Sequence, residues 1–218
     1  DADIFFYSDP TILLSEIGNY SVQISPHWFS DENKHLIVSG VYCVHFLTFK
    51  NDNRGMQVLK WWRYSCIEWC YNKHEEGKFG DQKYLDDWVI KFDGIRILQN
   101  RGGGLAPWNI SQYSFNDNHD LFYTENIPDK QKITPVFYHF HGVKLIGKNK
   151  YDLGGYCLNK SVIKKFYEPY VETLQNIINE HKEFDLYSLS KAQKKNYLLD
   201  FRSKILRILK KKYNIIKV

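Results

Sequence analysis

Short runs of β-branched and aromatic residues alternate along this chain with stretches whose apolar residues recur at helical spacing, with no internal repeat or low-complexity linker. A chain patterned this way has to bury strand faces against helix stripes, which predicts an α/β fold, a mixed sheet flanked by helices. Asp9-Pro10 marks a helix start, and Gly18 closes that helix. Tyr20 to Ile24 reads as a strand broken by Ser25-Pro26-His27-Trp28, and Leu36 to Phe49 as one strand or two, kinked at Ser39-Gly40. From Asn53 to Asn72 the spacing of Leu59, Trp62, Cys66, Trp69 and Cys70 predicts a helix with a buried stripe. Asp81 is placed to cap a second, short helix reaching Trp88. Gly94 to Gln99 and Pro135 to His141 read as strands, whereas Ser161 to Lys182 and Lys191 to Tyr213 read as helices.

Charge separates the tail from the rest. Of the 218 residues, the last 28 hold ten Lys or Arg against the single acid Asp200, while the first 190 hold twenty basic and twenty-four acidic residues. The net charge of +5 therefore belongs to the tail, and the body has no need of a polyanionic partner. No nucleic-acid recognition motif is present, so nucleic acid is not an expected partner. Leu198, Phe201, Ile205, Ile208 and Leu209 would share one face of a tail helix, with basic residues on the others. Such a helix could lie on an anionic membrane surface through 191–218, or dock as a terminal helix with a solvated charged face. The four cysteines form no C-x-x-C pair, and no run is apolar enough to span a bilayer. A reduced, cytoplasmic setting is expected, peripheral on the inner membrane face if the tail binds lipid.

Four short segments carry candidate chemistry. In an extended segment Asp1 and Asp3 point the same way, and two converging carboxylates can hold Mn²⁺ or Mg²⁺ against a diphosphate. An isolated pair of this kind is more often a solvated turn. His139 and His141 share a face by the same period; an imidazole completing a carboxylate site favours Mn²⁺, while Lys144 could meet phosphate as a point charge. The plainer reading is a hydrogen-bonded histidine pair at a strand end. Asp81-Gln82 at a helix start could bind sugar hydroxyls or take an acceptor proton, or Asp81 could simply cap. After Gly102-Gly103-Gly104, Trp108 could stack on a sugar and Asn109 could bond a hydroxyl, or Trp108 could merely anchor a loop.

The order of these segments, with Ser39-Gly40-Val41 between the first and the third, resembles glycosyltransferases of the glycogenin and lipopolysaccharide galactosyltransferase type. It is more similar still to bacterial nucleotide-diphospho-sugar glycosyltransferases. Asp1-Ala2-Asp3-Ile4-Phe5-Phe6-Tyr7-Ser8-Asp9-Pro10, Gly77 through Leu85, and Leu105-Ala106-Pro107-Trp108-Asn109 carry the likeness, which covers about Asp1 to Lys144. The resemblance implies a GT-A fold lacking its N-terminal nucleotide-binding half, with the D-x-D part at 1–157 and a helical extension at 158–218. It also implies a metal-dependent hexosyl transfer from a nucleotide-diphospho-sugar to a glycan or lipid-linked acceptor, in cell-surface polysaccharide synthesis such as that of lipopolysaccharide. Carried over, Asp1, Asp3 and His139 hold the metal, Lys144 contacts the diphosphate, and Ser39, Gly40, Asp81 and Gln82 line donor sugar and acceptor. Lys144 falls one position early in the His-Phe-x-Gly segment, and no Pro-Trp follows it, so His141 stays an alternative ligand and the role of Lys144 stays open. Without its upstream half the chain alone is expected to be a poor donor binder or inactive. Two other readings remain: a non-catalytic carbohydrate- or membrane-binding module, and a metal-dependent hydrolase.

Overall fold

The computed structural model describes residues 1–118, 120–124, 131–181, 204–210 and 212–218. It is a mixed α/β protein built from several small sheets and flanking helices. Two compact units divide the chain: Asp1–Ser114 with Asp120–His139, and Phe115–His119 with Phe140–Val218. Residues 140–157, which the resemblance groups with the D-x-D part, instead pack in the same unit as the C-terminal segment.

In the first unit, β1 (Ile4–Phe6) runs into α1 (Thr11–Ser15), where Asp9 Oδ1 accepts a hydrogen bond from Thr11 N–H at 2.9 Å and Gly18 turns the chain at φ 51°. β2 (Val22–Pro26) is buried at every position and lies between β3 (Tyr42–Phe49), antiparallel to it, and β4 (Ile95–Ile97), parallel to it. Its apolar residues Val22 and Ile24 are fully buried with Val58, Leu85 and Trp88, and half-buried Trp61, Trp62 and Phe92 close the cluster. α2 (Asn53–Glu68) docks on this sheet. Asp52 caps it by accepting from Gly55 N–H at 2.8 Å, and that hydrogen bond holds the Asp52 carboxyl below the usual range. A Cβ at residue 55 would collide with the Lys50 carbonyl oxygen, so only glycine lets the first turn approach this closely.

Three local expectations need correction. Asp31–Ser39 is a 3₁₀ helix, broken by Gly40 at φ 136°, so Leu36–Ser39 is not strand and only Tyr42–Phe49 pairs. α2 stops at Glu68, four residues early, and its stripe is half-buried rather than buried; Cys70 is exposed beyond the helix end. Asp81 makes no cap: a 3₁₀ turn at Lys83–Asp87, preceded by Gln82, leads into the single-turn α3 (Trp88–Lys91).

β5 (Tyr113–Phe115), β6 (Leu121–Tyr123) and β7 (Gln131–Ile133) form another small sheet. β8 (Phe137–His139) then pairs antiparallel with β1, setting Ile4 opposite His139.

The second unit contains the β9 (Lys144–Gly147) and β10 (Lys150–Asp152) hairpin, α4 (Lys160–Val162), a π-helical turn at Ile163–Tyr167 and α5 (Glu168–Glu180). Most of the expected basic tail helix, 191–203 and Lys211, lies outside the described residues. Where the tail is described it departs from a free amphipathic helix. Arg207 forks onto the Asp152 carboxylate at 2.6 and 2.7 Å, and β11 (Ile215–Lys217) pairs with β10. Among the described residues no helix is long and apolar enough to cross a membrane.

Candidate metal centre

Pairing of β1 with β8 brings the two ends of the first unit together. With Ile4 opposite His139, the residues just before β1 fall beside the end of β8. His139 Nε2 lies 3.0 Å from Asp3 Oδ1 and 3.6 Å from Asp1 Oδ2. One ligand atom from each of Asp1, Asp3 and His139 can be chosen so that all three lie within 4.8 Å of one another. The carboxylates are 34% and 41% exposed, whereas the imidazole is only 5% exposed. The cluster therefore opens to solvent on its acidic side and is fixed on its histidine side. The fixing is visible: His139 N–H donates to Leu105 O at 2.9 Å, and the Trp108 ring meets the imidazole edge-to-face at 5.0 Å.

Sequence reasoning missed what lies behind His139. Cys43 and His45 both lie on β3, and His45 Nδ1 lies 3.3 Å from His139 Nδ1. Cys43, His45 and His139 form a second group of ligand atoms within 4.8 Å, all three residues buried. A histidine in the otherwise apolar run Val44 to Phe46 was the available signal. Burial, reinforced by His139 and His27, pushes the His45 pKa well below its usual value. Burial pushes the Cys43 thiol up to about 12, with Asp81 and Asp3 both adding by charge.

His45 also makes stability depend on pH. Its folded pKa is depressed, so its stabilising contribution is complete above the unfolded value near ~6.5 and is lost as pH falls below it. Unfolding free energy should drop by up to about 1.4 kcal/mol per pH unit between about pH 6.5 and 5, because the unfolded chain takes up one more proton. Urea titrations across that range check this, and a His45→Asn variant should lose that part of the slope. A slope unchanged in the variant contradicts it.

The chain is similar to two proteins of Bacillus subtilis strain 168. The uncharacterized protein YfnD is 28% identical over 185 residues, which is 83% of this chain and 58% of the relative. The uncharacterized protein YfnF is 30% identical over 192 residues, 85% of this chain and 61% of the relative. The chain thus spans about three-fifths of the length of these curated relatives, and neither name states an activity. No family model matches the sequence. No solved structure matches it.

The other sequence candidates fall into three places. Ser39, Gly40 and Gln82 come together: Gln82 Nε2 donates to Ser39 O at 2.9 Å, and a Cβ on Gly40 would stand 3.6 Å from Gln82 Cγ. Asp86 Oδ1 accepts from Val41 N–H at 2.7 Å, and Trp62 Nε1 donates to Asp81 O at 2.9 Å, so the 39–41 and 81–86 segments are tied. A shallow open cleft borders them, lined by Val38, Glu75, Glu76, Lys78 and Lys83 among others.

Trp108 and Asn109 are the clear corrections. They are 4% and 0% exposed. Trp108 Nε1 donates to His27 O, and the Asn109 amide is spent on Ala106 N–H, His27 O and Gly104 O. Neither presents a free face to a sugar; Trp108 instead backs the histidine pair.

His141 and Lys144 lie in the second unit, His141 Nδ1 3.1 Å from the Tyr156 hydroxyl and Lys144 exposed on β9.

Two carboxylate oxygens and one imidazole nitrogen, open to solvent on the acidic side, are a donor set that fits Mn²⁺ or Mg²⁺ and leaves positions for phosphate oxygens. The Cys43, His45 and His139 group, buried on all three residues, offers a thiol and two imidazoles, softer donors that suit Zn²⁺ better than Mn²⁺ or Mg²⁺.

Proposed function

We propose that this chain is the metal-bearing part of a GT-A type glycosyltransferase that moves a sugar from a nucleotide-diphospho-sugar to a glycan or lipid-linked acceptor in cell-surface polysaccharide synthesis. One observation carries the reading: Asp1, Asp3 and His139, from opposite ends of the first unit, converge within 4.8 Å. Asp1 and Asp3 hold the cation through oxygen, and His139 adds Nε2. A bound Mn²⁺ or Mg²⁺ supplies positive charge against which the nucleoside diphosphate can leave. The tied Ser39–Gly40 and Gln82 segments, with the cleft beside them, support a place for donor sugar and acceptor. Asp81, in the segment tied to Ser39–Gly40, would orient an acceptor hydroxyl or take its proton. The work is done at the cytoplasmic face, on a lipid-linked acceptor or a growing glycan.

The test is to incubate the chain, with full-length YfnF in parallel, with a panel of nucleotide-sugars and to follow release of nucleoside diphosphate with and without Mn²⁺. Metal-dependent release by either supports the reading. Folded protein that turns over no donor, in both forms, leaves a non-catalytic module as the better account.

A further inference from the structure

We propose that His45 is the positioning residue that turns the Nε2 lone pair of His139 toward Asp1 and Asp3, by accepting a hydrogen bond from His139 Nδ1. The inference rests on the metal reading above and deepens it.

An imidazole can give a lone pair to a cation only from a nitrogen that carries no hydrogen, and its one hydrogen must then sit on the other nitrogen. In His139 the nitrogen facing the carboxylates is Nε2, 3.0 Å from Asp3 Oδ1. With no cation, Nε2–H donates to Asp3. When a cation takes that place, the ring hydrogen belongs at Nδ1, inside a residue only 4% exposed, where an N–H needs an acceptor. His45 Nδ1 is at 3.3 Å. Outer partners of this kind fix the tautomer and aim of ligating histidines.

His45 is built for the task. His45 lies on β3 between Cys43, which pairs with Ser25 of β2, and Thr48, which pairs with Gln23 across a register shift. The ring lies parallel to Trp108, 6° apart at 6.3 Å between centroids, and meets Phe137 edge-on at 5.2 Å. It is 2% exposed, and its Nε2 is buried without a hydrogen-bond partner. With Nδ1 accepting, the one hydrogen of neutral His45 sits on Nε2, a buried N–H left without a protein acceptor, and the arrangement carries that cost. Trp108 touches both rings, at 6.3 Å and 5.0 Å between centroids, and keeps them from turning.

The test is Mn²⁺ binding, read by the electron paramagnetic resonance of free Mn²⁺, in the unaltered chain and in His45→Leu, His45→Asn and Cys43→Ala. His45→Leu, which keeps bulk and loses the acceptor, should weaken binding by about 10- to 100-fold. His45→Asn, whose Oδ1 sits near the place of Nδ1, should recover most of that loss. Cys43→Ala should bind as the unaltered chain does. Undiminished binding by folded His45→Leu overturns the inference and leaves the metal reading standing. Failure of the unaltered chain to bind Mn²⁺ removes the metal reading and this inference together. If binding is lost in Cys43→Ala, and Co²⁺ gives a thiolate charge-transfer absorption only when Cys43 is present, the metal sits on the other side of His139 and the inference is overturned. Should His45→Leu not fold, long-range ¹H–¹⁵N spectra of the unaltered chain saturated with Mg²⁺ decide: hydrogen on Nδ1 of His139 supports the inference, hydrogen on Nε2 sinks it.

Discussion

Asp3→Ala is expected to lower metal-dependent turnover of a nucleotide-sugar by about 10³-fold while leaving the fold intact. The size reflects what the cation does. Charge stabilisation by a bound metal is worth several kcal/mol at the transition state, and each ~1.4 kcal/mol is a factor of ten in rate. Asp3 is the carboxylate nearest His139 Nε2, at 3.0 Å against 3.6 Å for Asp1, so its loss removes the ligand that draws the three donors together. Stability should change by less than about 1 kcal/mol, because the side chain is 41% exposed and its contact with His139 Nε2 opens to solvent on the acidic side. The measurement is initial rate at saturating Mn²⁺, paired with the thermal midpoint without metal, on the form of the protein that turns over the donor. Asp3→Asn keeps the shape and removes the charge, and should behave as Asp3→Ala does. Turnover retained in either variant would remove Asp3 from the metal and end the proposed role of the D-x-D segment.

The local signals were legible where a single residue type decides the backbone. Asp9-Pro10 starts α1, where Asp9 Oδ1 accepts from Thr11 N–H, but the helix stops at Ser15 and Gly18 only turns the chain beyond that end. Asp1 and Asp3 lie just before β1, outside the strand, so the period of two does not describe them, although each brings a carboxylate oxygen near His139. Long-range convergence was another matter. Which histidine meets those carboxylates depends on the register of β1 against β8, and no spacing rule prefers His139 over His141. His45 escaped notice because a lone histidine in a β-branched run looks like any satisfied core residue, and it lies in the irregular stretch of β3 that no sequence period places. Asp31–Ser39 defeated the strand reading because Leu36, Ile37 and Val38 favour strands by type, yet Ile37 and Val38 point largely to solvent, and the turn ends in the Ile37–Gly40 hydrogen bond. Trp108 and Asn109 were misread for a related reason. A Gly-rich loop looks like a flexible ligand clamp until its polar atoms are counted, and here every counted one goes to main chain.

Asn109→Leu should destabilise the protein by about 3–5 kcal/mol, a large part of the roughly 5–15 kcal/mol typical of a domain. Leucine keeps the branch at Cγ but is bulkier, so overpacking in a site with no exposure adds to the lost hydrogen bonds. Asn109 Oδ1 accepts from Ala106 N–H at 3.0 Å, and Nδ2 donates to Gly104 O at 2.8 Å and His27 O at 2.9 Å, all inside a residue with no exposure. His27 O keeps a partner in Trp108 Nε1 at 2.9 Å, but Ala106 N–H and Gly104 O lose theirs in a dry interior. Urea titration should show the midpoint falling with the slope unchanged, since the surface exposed on unfolding stays the same. The damage should also reach the metal ligands. The 104–109 loop carries Leu105 O, which holds His139 N–H, and Trp108, which backs both histidine rings. Mn²⁺ affinity in the remaining folded fraction should therefore weaken, although residue 109 touches no ligand. An unchanged urea midpoint would mean that the amide is not spent on the loop, and would make Asn109 available again to a sugar hydroxyl.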